Sequence, residues 1–179
     1  MIDDIQTVQD SAELIYSEQE VEAAIAKMAA EINTLLAKTN LHVLCVMNGG
    51  IIIAGQLITR LSMPLTIEAI NASRYQNKTV GGTIEWILKP VATLKERTVL
   101  IIDDILDEGF TLEEIKKFCF DQGASAVYSA VLINKNLGHT KPVLADFIGL
   151  EVENRYIFGY GMDYKGYLRN APGIYACKE

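Results

Sequence analysis

Three carboxylates stand close together near the middle of this 179-residue chain, directly after a short apolar run. The run covers 99–102, and Asp103, Asp104 and Asp107 follow it. A continuous apolar run of this kind predicts a strand that is buried on both faces of a parallel sheet. Ligands of such sheets bind at the carboxyl ends of the strands. Paired acids at this place suit a sugar diol or a magnesium-bound phosphate, so we expect a phosphorylated sugar that brings its own Mg²⁺.

A glycine and a hydroxyl group continue the pattern into the next predicted element. Glu108, Gly109, Phe110 and Thr111 form a short connection, and an amphipathic helix is predicted over 112–121. The first turn of a helix presents free N–H groups, and these groups bind phosphates. A solvated acidic turn is the simplest alternative. It does not explain why three acids, a glycine and a hydroxyl group occur in this order.

Residues 99–112 as a whole resemble the phosphoribosyl-pyrophosphate signature of the type I phosphoribosyltransferases. The resemblance implies that Asp103 and Asp104 hold the ribose hydroxyls and contribute to the magnesium site. It makes Asp107 the catalytic residue, which exchanges a proton with the purine or other base. The loop around the 5′-phosphate would then consist of Glu108, Gly109, Phe110 and Thr111.

The receiver domain of bacterial signalling is a rival for the first half of this pattern. In that domain, too, an apolar strand ends in two adjacent acids that bind magnesium. A receiver carries the pair on its first strand and needs a phosphate-accepting aspartate and a lysine on later strands. Here 98 residues precede Val99, and too little chain follows to supply the rest of a receiver.

A second phosphate-binding element is predicted after the strand at 42–46. Met47, Asn48 and Gly49 form a turn there, before a helix predicted over 50–61. Backbone amides at such a turn can bind an anion, and a glycine lets the backbone come close to it. Glycines at this place are also typical of a plain tight turn. The resemblance assigns the turn to pyrophosphate, with Asn48 where family members often carry lysine or arginine.

The last third of the chain resembles the hypoxanthine-guanine branch of the same family. The residues that carry this resemblance are, in order, Lys135, Tyr156, Ile157, Asp163 and Arg169. By resemblance, Lys135 donates to the 6-oxo group of a purine, Tyr156 stacks on the ring and Ile157 supplies a backbone contact. Asp163 would help to hold a second Mg²⁺, and Arg169 would reach the pyrophosphate. A lysine only donates hydrogen bonds, which favours a 6-oxo over a 6-amino purine.

Several of these residues also have ordinary structural explanations. A lysine after a strand is usually a surface residue, and Tyr156 is also compatible with core packing. The polar segment 71–83 is long for a connection and predicts a catalytic lid with Arg74 and Tyr75 at its centre. A surface hairpin without a function is the alternative. By resemblance the lid often carries serine where this chain has Arg74, and we hypothesise that this arginine compensates for Asn48 at the pyrophosphate.

One residue of the phosphate loop departs from the family pattern. Loops of the family commonly carry a small hydroxyl residue where this chain has Glu108. A carboxylate that faced a phosphate would oppose its binding. We therefore expect Glu108 to point to solvent, while backbone amides and Thr111 bind the phosphate.

Predicted strands and helices alternate along the chain, which indicates an α/β fold with a mostly parallel sheet flanked by helices. Ser17 and Glu20 have the spacing of a capping box at the start of a helix. The apolar face of this helix is predicted to consist of Val21, Ile25, Met28, Ile32 and Leu35. Strands are predicted at 42–46, 65–70, 98–102, 127–133 and 147–149, and a local pairing strand at 84–88.

The two ends of the chain are predicted to form a small hood over the strand ends. The residues from about 150 to 179 are aromatic-rich and predicted to be irregular, and the N-terminal segment joins them. Aromatic residues in such a tail suit the wall of a base pocket. We expect one domain over 1–179, because no linker marks a second one.

Composition narrows the class of protein. Half of the residues are apolar, which excludes a disordered chain, and the net charge of −7 disfavours a nucleic-acid partner. No apolar run is long enough to span a membrane, and the acidic start lacks the form of a signal peptide. Three widely spaced cysteines disfavour a disulfide framework, and the sequence predicts a cytoplasmic protein. A homodimer or homotetramer is the expectation from the family.

The resemblance predicts a purine salvage transferase that uses phosphoribosyl pyrophosphate, a 6-oxopurine such as hypoxanthine or guanine, and Mg²⁺. Two alternatives stay open. One is a noncatalytic regulator that senses phosphoribosyl pyrophosphate, although this chain has neither a basic face nor a DNA-binding domain. The other is a transferase for xanthine or another base, because a lysine does not distinguish among purines that share the 6-oxo group.

Overall fold

The computed structural model of the protein describes residues 2–74 and 84–178. The described part of the chain forms four α-helices: α1 (Ile2–Ser11), α2 (Glu18–Leu36), α3 (Gly50–Ile58) and α4 (Phe110–Asp121). The strands of the same residues are β1 (Glu13–Ser17), β2 (Leu41–Val46), β3 (Leu65–Arg74), β4 (Ile84–Leu88), β5 (Thr98–Leu106), β6 (Ala126–Asn136), β7 (Phe147–Glu153), β8 (Ile157–Phe158) and β9 (Gly173–Ala176).

Six strands form the main sheet, in the order β4-β3-β2-β5-β6-β7. All pairs in it are parallel except the edge pair of β3 and β4, which is antiparallel. Val43 in β2 lies between Ile67 of β3 and Leu100 of β5. The parallel α/β fold predicted from the alternation of elements is confirmed, as is the local pairing of β4 with the end of β3.

Helices cover both faces of this sheet. Buried residues of α2 and α3 pack with Val43, Cys45, Leu100 and Ile102 on one face. On the other face, Leu112, Ile115 and Cys119 of α4 pack with Leu44, Val99 and Ile101. Successive side chains of β2 and β5 therefore point alternately into two cores, which is why both sequences contain continuous apolar runs.

Helix α2 begins with the predicted capping box. Ser17 N donates to Glu20 Oε2 at 2.8 Å, and Glu20 N donates to Ser17 Oγ at 3.4 Å. The predicted core face is right at its first four positions but wrong at Leu35, which is 56% exposed. Leu36 is buried in its place, because the buried row continues from Ile32 by a step of four residues.

The strands that carry acidic and basic site residues are longer than predicted. The strand predicted at 98–102 extends to Leu106, so Asp103 and Asp104 lie within β5 rather than after it. The strand predicted at 127–133 extends to Asn136 and includes Lys135. The parallel ladder between the two continues to the pair Leu106↔Asn134, because backbone pairing does not require apolar side chains.

The hood is more regular than predicted. β1 pairs with β9, and β9 pairs with β8, in a three-stranded antiparallel sheet built from both ends of the described chain. These strands are short and pair residues far apart in sequence, such as Glu13 with Ala176, so no local pattern predicts them. Helix α1 was not predicted either. None of the helices in the described ranges has the length and apolar character needed to cross a membrane.

Candidate active site

The paired acids of β5 form the centre of the site. Asp103 Oδ1 accepts a hydrogen bond from Asp104 N at 2.9 Å, and the side chain of Asp104 is buried. Burial and the adjacent negative charge of Asp104 raise the pKa of Asp103 well above its usual range. Burial also raises the pKa of Asp104, although the positive charge of Arg169 opposes this effect. Two crowded carboxylates of this kind are stabilised by hydroxyl donors or by a cation.

The acids fit a magnesium ion that is bound together with a substrate. Asp103 and Asp104 supply the carboxylate oxygens that Mg²⁺ prefers, and the ion usually takes its other ligands from water and substrate phosphates. Asp163 lies at a neighbouring cleft, where its Oδ1 is ion-paired with Arg169 Nη2 at 2.6 Å. Among the residues that the structure describes, no three acidic, histidine or cysteine side chains form a metal-binding group by themselves.

The predicted phosphate loop surrounds a cleft of about 270 Å³. Gly109 is the N-cap of α4 and has φ +88°, a left-handed conformation that favours glycine. Helix α4 begins at Phe110, so the backbone amides of its first turn are directed into the connection after β5. The lining of the cleft runs from the acid pair through the loop to the helix: Asp103, Asp104, Ile105, Leu106, Asp107, Glu108, Gly109, Phe110, Thr111 and Leu112.

The turn after β2 lies against the acid pair. A Cβ atom built on Gly49 would overlap the carboxylate of Asp104, so a side chain at this position would displace that carboxylate. Met47 N donates to Ile70 O at 2.8 Å, which ties the start of the turn to β3, and Asn48 is exposed. Gly161 of the hood approaches the backbone oxygen of Gly49 so closely that it also has no room for a side chain. The structure therefore brings the two predicted phosphate elements and the hood together.

A second cleft, of about 240 Å³, adjoins the first. The two clefts share Asp104, Ile105 and Asp107. The other residues that line the second cleft are Lys135, Tyr156, Ile157, Met162 and Asp163. The three residues that the resemblance predicts to contact a purine, on β6 and in the hood, thus meet Asp163 in one place beside the acidic strand.

The side chains of the second cleft differ in how firmly they are held. Lys135 is 11% exposed, and its Nζ lies 3.1 Å from Asp107 Oδ2. Tyr156 is 56% exposed rather than a core residue, and its ring makes an edge contact with Tyr164. Lys135 is therefore a fixed donor, whereas the ring of Tyr156 has an exposed surface on which a flat ligand could stack.

Arg169 is held beside the acid pair by the hood. Its Nη1 donates to Gly161 O at 2.6 Å, and its Nη2 pairs with Asp163. Asp163 Oδ2 in turn accepts a hydrogen bond from Gly166 N at 2.6 Å. The residue predicted to reach pyrophosphate thus lies within the electrostatic range of Asp104, with its orientation fixed by the tail of the chain.

The two predicted lid residues are not described by the structure, and one residue near the phosphate loop was not predicted. Tyr75 and the side chain of Arg74 lie outside the described residues, and residues 71–74 of the predicted lid connection extend β3 instead. Lys141, which the sequence did not single out, donates to Leu106 O at the start of the phosphate loop. Lys141 lies in the connection after β6, far from Leu106 in sequence, so no local motif predicts this contact.

Comparison with known proteins gives consistent matches. The profile of the phosphoribosyl transferase domain matches residues 11–165. The hypoxanthine-guanine phosphoribosyltransferase of Bacillus subtilis (strain 168) is 30% identical over 166 residues, which cover 92% of each chain. The hypoxanthine-guanine-xanthine phosphoribosyltransferase of Tritrichomonas foetus is 29% identical over 181 residues, covering 100% of this chain and 95% of that protein.

Solved structures share the fold. A hypoxanthine phosphoribosyltransferase from Staphylococcus aureus has a TM-score of 0.87 at 23% identity, covering 93% of this chain and 91% of that chain. The domain profile extends well beyond the acidic loop and includes all residues that line the two clefts. The chain therefore belongs to the phosphoribosyltransferase family.

Proposed function

We propose that this protein transfers the 5-phosphoribosyl group from phosphoribosyl pyrophosphate to hypoxanthine or guanine, releasing pyrophosphate in purine salvage. The observation that carries the proposal is the junction of two clefts at Asp104, Ile105 and Asp107. One cleft has acids and a helix N-terminus suited to a phosphorylated ribose, and the other has a lysine and an aromatic ring suited to an oxopurine. Group transfer requires both partners to be held side by side.

The phosphoribosyl group would bind along the first cleft. Asp103 and Asp104 would accept hydrogen bonds from the ribose hydroxyls, and the amides that follow Gly109 would bind the 5′-phosphate. These two acids, with Asp163 at the neighbouring cleft, would hold Mg²⁺, which neutralises negative charge on pyrophosphate when it is bound. The amides of the turn at Gly49 and the guanidinium group of Arg169 would stabilise the same leaving group.

The base would bind in the second cleft, with its 6-oxo group on Lys135 and its ring against Tyr156. Cleavage of the bond between C1 of ribose and pyrophosphate leaves positive charge on the sugar and negative charge on pyrophosphate. Lys135 would hold the purine so that a ring nitrogen faces C1 in line with the departing oxygen. Asp107, which lies 3.1 Å from Lys135, would accept the ring proton next to the 6-oxo group, and the loss of this proton would make the nitrogen that faces C1 nucleophilic.

The test is pyrophosphate release from phosphoribosyl pyrophosphate with Mg²⁺ and, separately, hypoxanthine, guanine, xanthine or adenine. We expect turnover with hypoxanthine and guanine, none with adenine, and loss of turnover in Asp107→Asn. Turnover with xanthine as well would extend the substrate range to that of the Tritrichomonas foetus relative. Tight binding of phosphoribosyl pyrophosphate without turnover of any base would overturn the proposal in favour of a regulator that senses this compound.

A further inference from the structure

Lys141 lies in the connection between β6 and β7, and its ammonium group lies beside the carboxyl ends of β5 and β6. Its Nζ donates to Leu106 O at 2.7 Å and to Asn134 Oδ1 at 2.8 Å. Leu106 ends β5, and Asn134 lies opposite it in β6. A single side chain therefore ties together the ends of two neighbouring strands of the main sheet.

Both tied residues stand immediately before a residue that faces the purine cleft. Leu106 precedes Asp107, and Asn134 precedes Lys135. Asp107 and Lys135 form the 3.1 Å ion pair at the cleft. Lys141 itself does not belong to the described lining of either cleft, so its influence on that pair runs through the backbone and side chain that it holds.

The same connection also supports the phosphate loop. A Cβ atom built on Gly109 would lie 3.3 Å from Val143 Cγ1, 3.4 Å from Pro142 Cδ and 3.5 Å from Lys141 Cβ. The turn that leads into α4 thus packs directly on the segment that carries Lys141. Lys141 therefore adjoins the phosphate loop as well as the strand ends that precede Asp107 and Lys135.

The ammonium group of Lys141 is held by two directed hydrogen bonds and lies near several charged side chains. The ammonium group is partly buried, and burial lowers its pKa. The negative charges of Asp107, Glu108 and Glu151 oppose this effect, while the positive charge of Lys135 adds to it. A partly desolvated ammonium needs fixed acceptors, and here they are a carbonyl and an amide oxygen with defined directions.

We propose that Lys141 is a positioning residue for phosphoribosyl transfer, which holds Asp107 and Lys135 at the separation at which both contact one purine. The inference rests on the proposed function. Lys141 would touch neither substrate, so its removal would lower kcat through misplacement of the proton acceptor. It would change the apparent affinity for phosphoribosyl pyrophosphate less.

The decisive variant is Lys141→Met, which keeps the length of the side chain and removes the ammonium group. Lys116→Met is a matched control, because Lys116 also bridges a carbonyl (Leu144 O, 3.4 Å) and a side-chain oxygen (Asp146 Oδ2, 2.8 Å) of the same connection. Lys116 lines neither cleft, and the acceptors that it holds do not adjoin Asp107 or Lys135 in sequence. We expect kcat to fall about tenfold or more in Lys141→Met, since misplacement by about 1 Å can slow a reaction by about 10²-fold. Lys116→Met is expected to stay within about twofold. Lys141→Arg is expected to restore activity only in part, because a planar guanidinium does not reproduce the two contacts of an ammonium group.

Hydrogen exchange of the backbone amides at 106–111 supplies a readout that does not depend on turnover. We expect faster exchange there in Lys141→Met and no change in Lys116→Met. Unchanged exchange together with unchanged kcat would overturn the positioning role, and so would equal losses of activity in both variants. If wild-type protein turned over no purine, the proposed function would fail, and hydrogen exchange would still decide whether Lys141 holds the loop. If Lys141→Met did not fold, Lys141→Gln would be judged by the same two measurements.

Discussion

Lys135 Nζ and Asp107 Oδ2 lie 3.1 Å apart, so the proposed 6-oxo donor and the proposed proton acceptor are paired in the free protein. Lys135 is 11% exposed and Asp107 is 50% exposed, which leaves the carboxylate with an open side toward the cleft. The edge of a 6-oxopurine presents an acceptor next to a ring N–H donor. It can therefore engage both partners of the ion pair at once, and a 6-aminopurine cannot.

The first prediction concerns Asp107→Asn. The amide keeps the shape of the side chain and can still accept a hydrogen bond from Lys135, but it cannot accept the proton of the base. We expect kcat to fall by about 10²–10⁴-fold, the usual contribution of general base catalysis. Steady-state kinetics with hypoxanthine measures this loss, and calorimetric binding of phosphoribosyl pyrophosphate serves as the control. A kcat that stays within about threefold of wild type would be too small a loss for general base catalysis and would show that Asp107 is not the base.

The second prediction concerns Lys135→Met, which deletes the donor but keeps the aliphatic stem. We expect the KM for hypoxanthine to rise about tenfold or more, since an unmatched buried polar group costs about 1–3 kcal/mol. Discrimination against adenine should fall by a similar factor. The KM for phosphoribosyl pyrophosphate, measured in the same assays, is expected to change little. Preserved discrimination between hypoxanthine and adenine would show that other groups read the 6-position.

The third prediction compares two glycines that are close in sequence. Gly49→Ala places a Cβ atom on the Asp104 carboxylate, so we expect loss of turnover and a lower melting temperature. Gly55→Ala is the control, because a Cβ atom there meets nothing within 4 Å in the middle of α3. That change should stabilise the protein by roughly 0.5–1 kcal/mol without loss of turnover. Equal behaviour of the two variants in thermal unfolding and kinetics would contradict the close packing of the turn on the acid pair.

The fourth prediction concerns the pH dependence of stability. The pKa of Asp103 is raised in the folded protein, so between its unfolded and folded values the folded state binds more protons. Stability therefore falls as pH rises through this window, and Asp103→Asn removes that loss. We expect the variant to melt at a higher temperature than wild type at about pH 8, with the difference shrinking toward about pH 4. Thermal unfolding of both proteins without Mg²⁺, from about pH 4 to about pH 8, tests this prediction. A difference in melting temperature that does not depend on pH would contradict it.

The fifth prediction concerns Glu108, which lines the phosphate cleft although it carries a negative charge. Its side chain is 53% exposed, and its Oε2 lies 3.4 Å from His139 Nε2. Because an exposed pair of this kind contributes little, replacement should not harm the loop. Glu108→Ser is expected to leave turnover intact and to keep or improve the affinity for phosphoribosyl pyrophosphate, as measured by calorimetry. A large loss of affinity would mean that the carboxylate itself takes part in binding.

The sequence was sufficient to predict the main sheet and the grouping of the site. Apolar runs buried on both faces produced β2 and β5, and the residues after such runs meet at one sheet edge for geometric reasons. This is why Asp107, Lys135 and Gly49 were predicted to lie together from sequence order and family resemblance. Their catalytic and binding roles remain predictions that the experiments above test.

What the sequence could not predict depends on contacts between distant segments. The choice of Leu36 over Leu35 for the core is decided by the surface on which α2 lies, since both spacings suit a helix. The pairing of β1 with β9 joins segments from opposite ends of the described chain. The position of Lys141 likewise follows from the β5–β6 register, which brings Leu106 and Asn134 within reach of one ammonium group.

The pairing of β1 with β9 has a consequence for the newly made protein. During synthesis, the chain emerges with β5 and the phosphate loop well before the hood residues Tyr156, Ile157 and Asp163, and β9 comes later still. A ribosome-bound chain therefore contains all residues that line the first cleft before it contains all residues that line the second. Until β9 has been made and has paired with β1, the three-stranded sheet of the hood is incomplete.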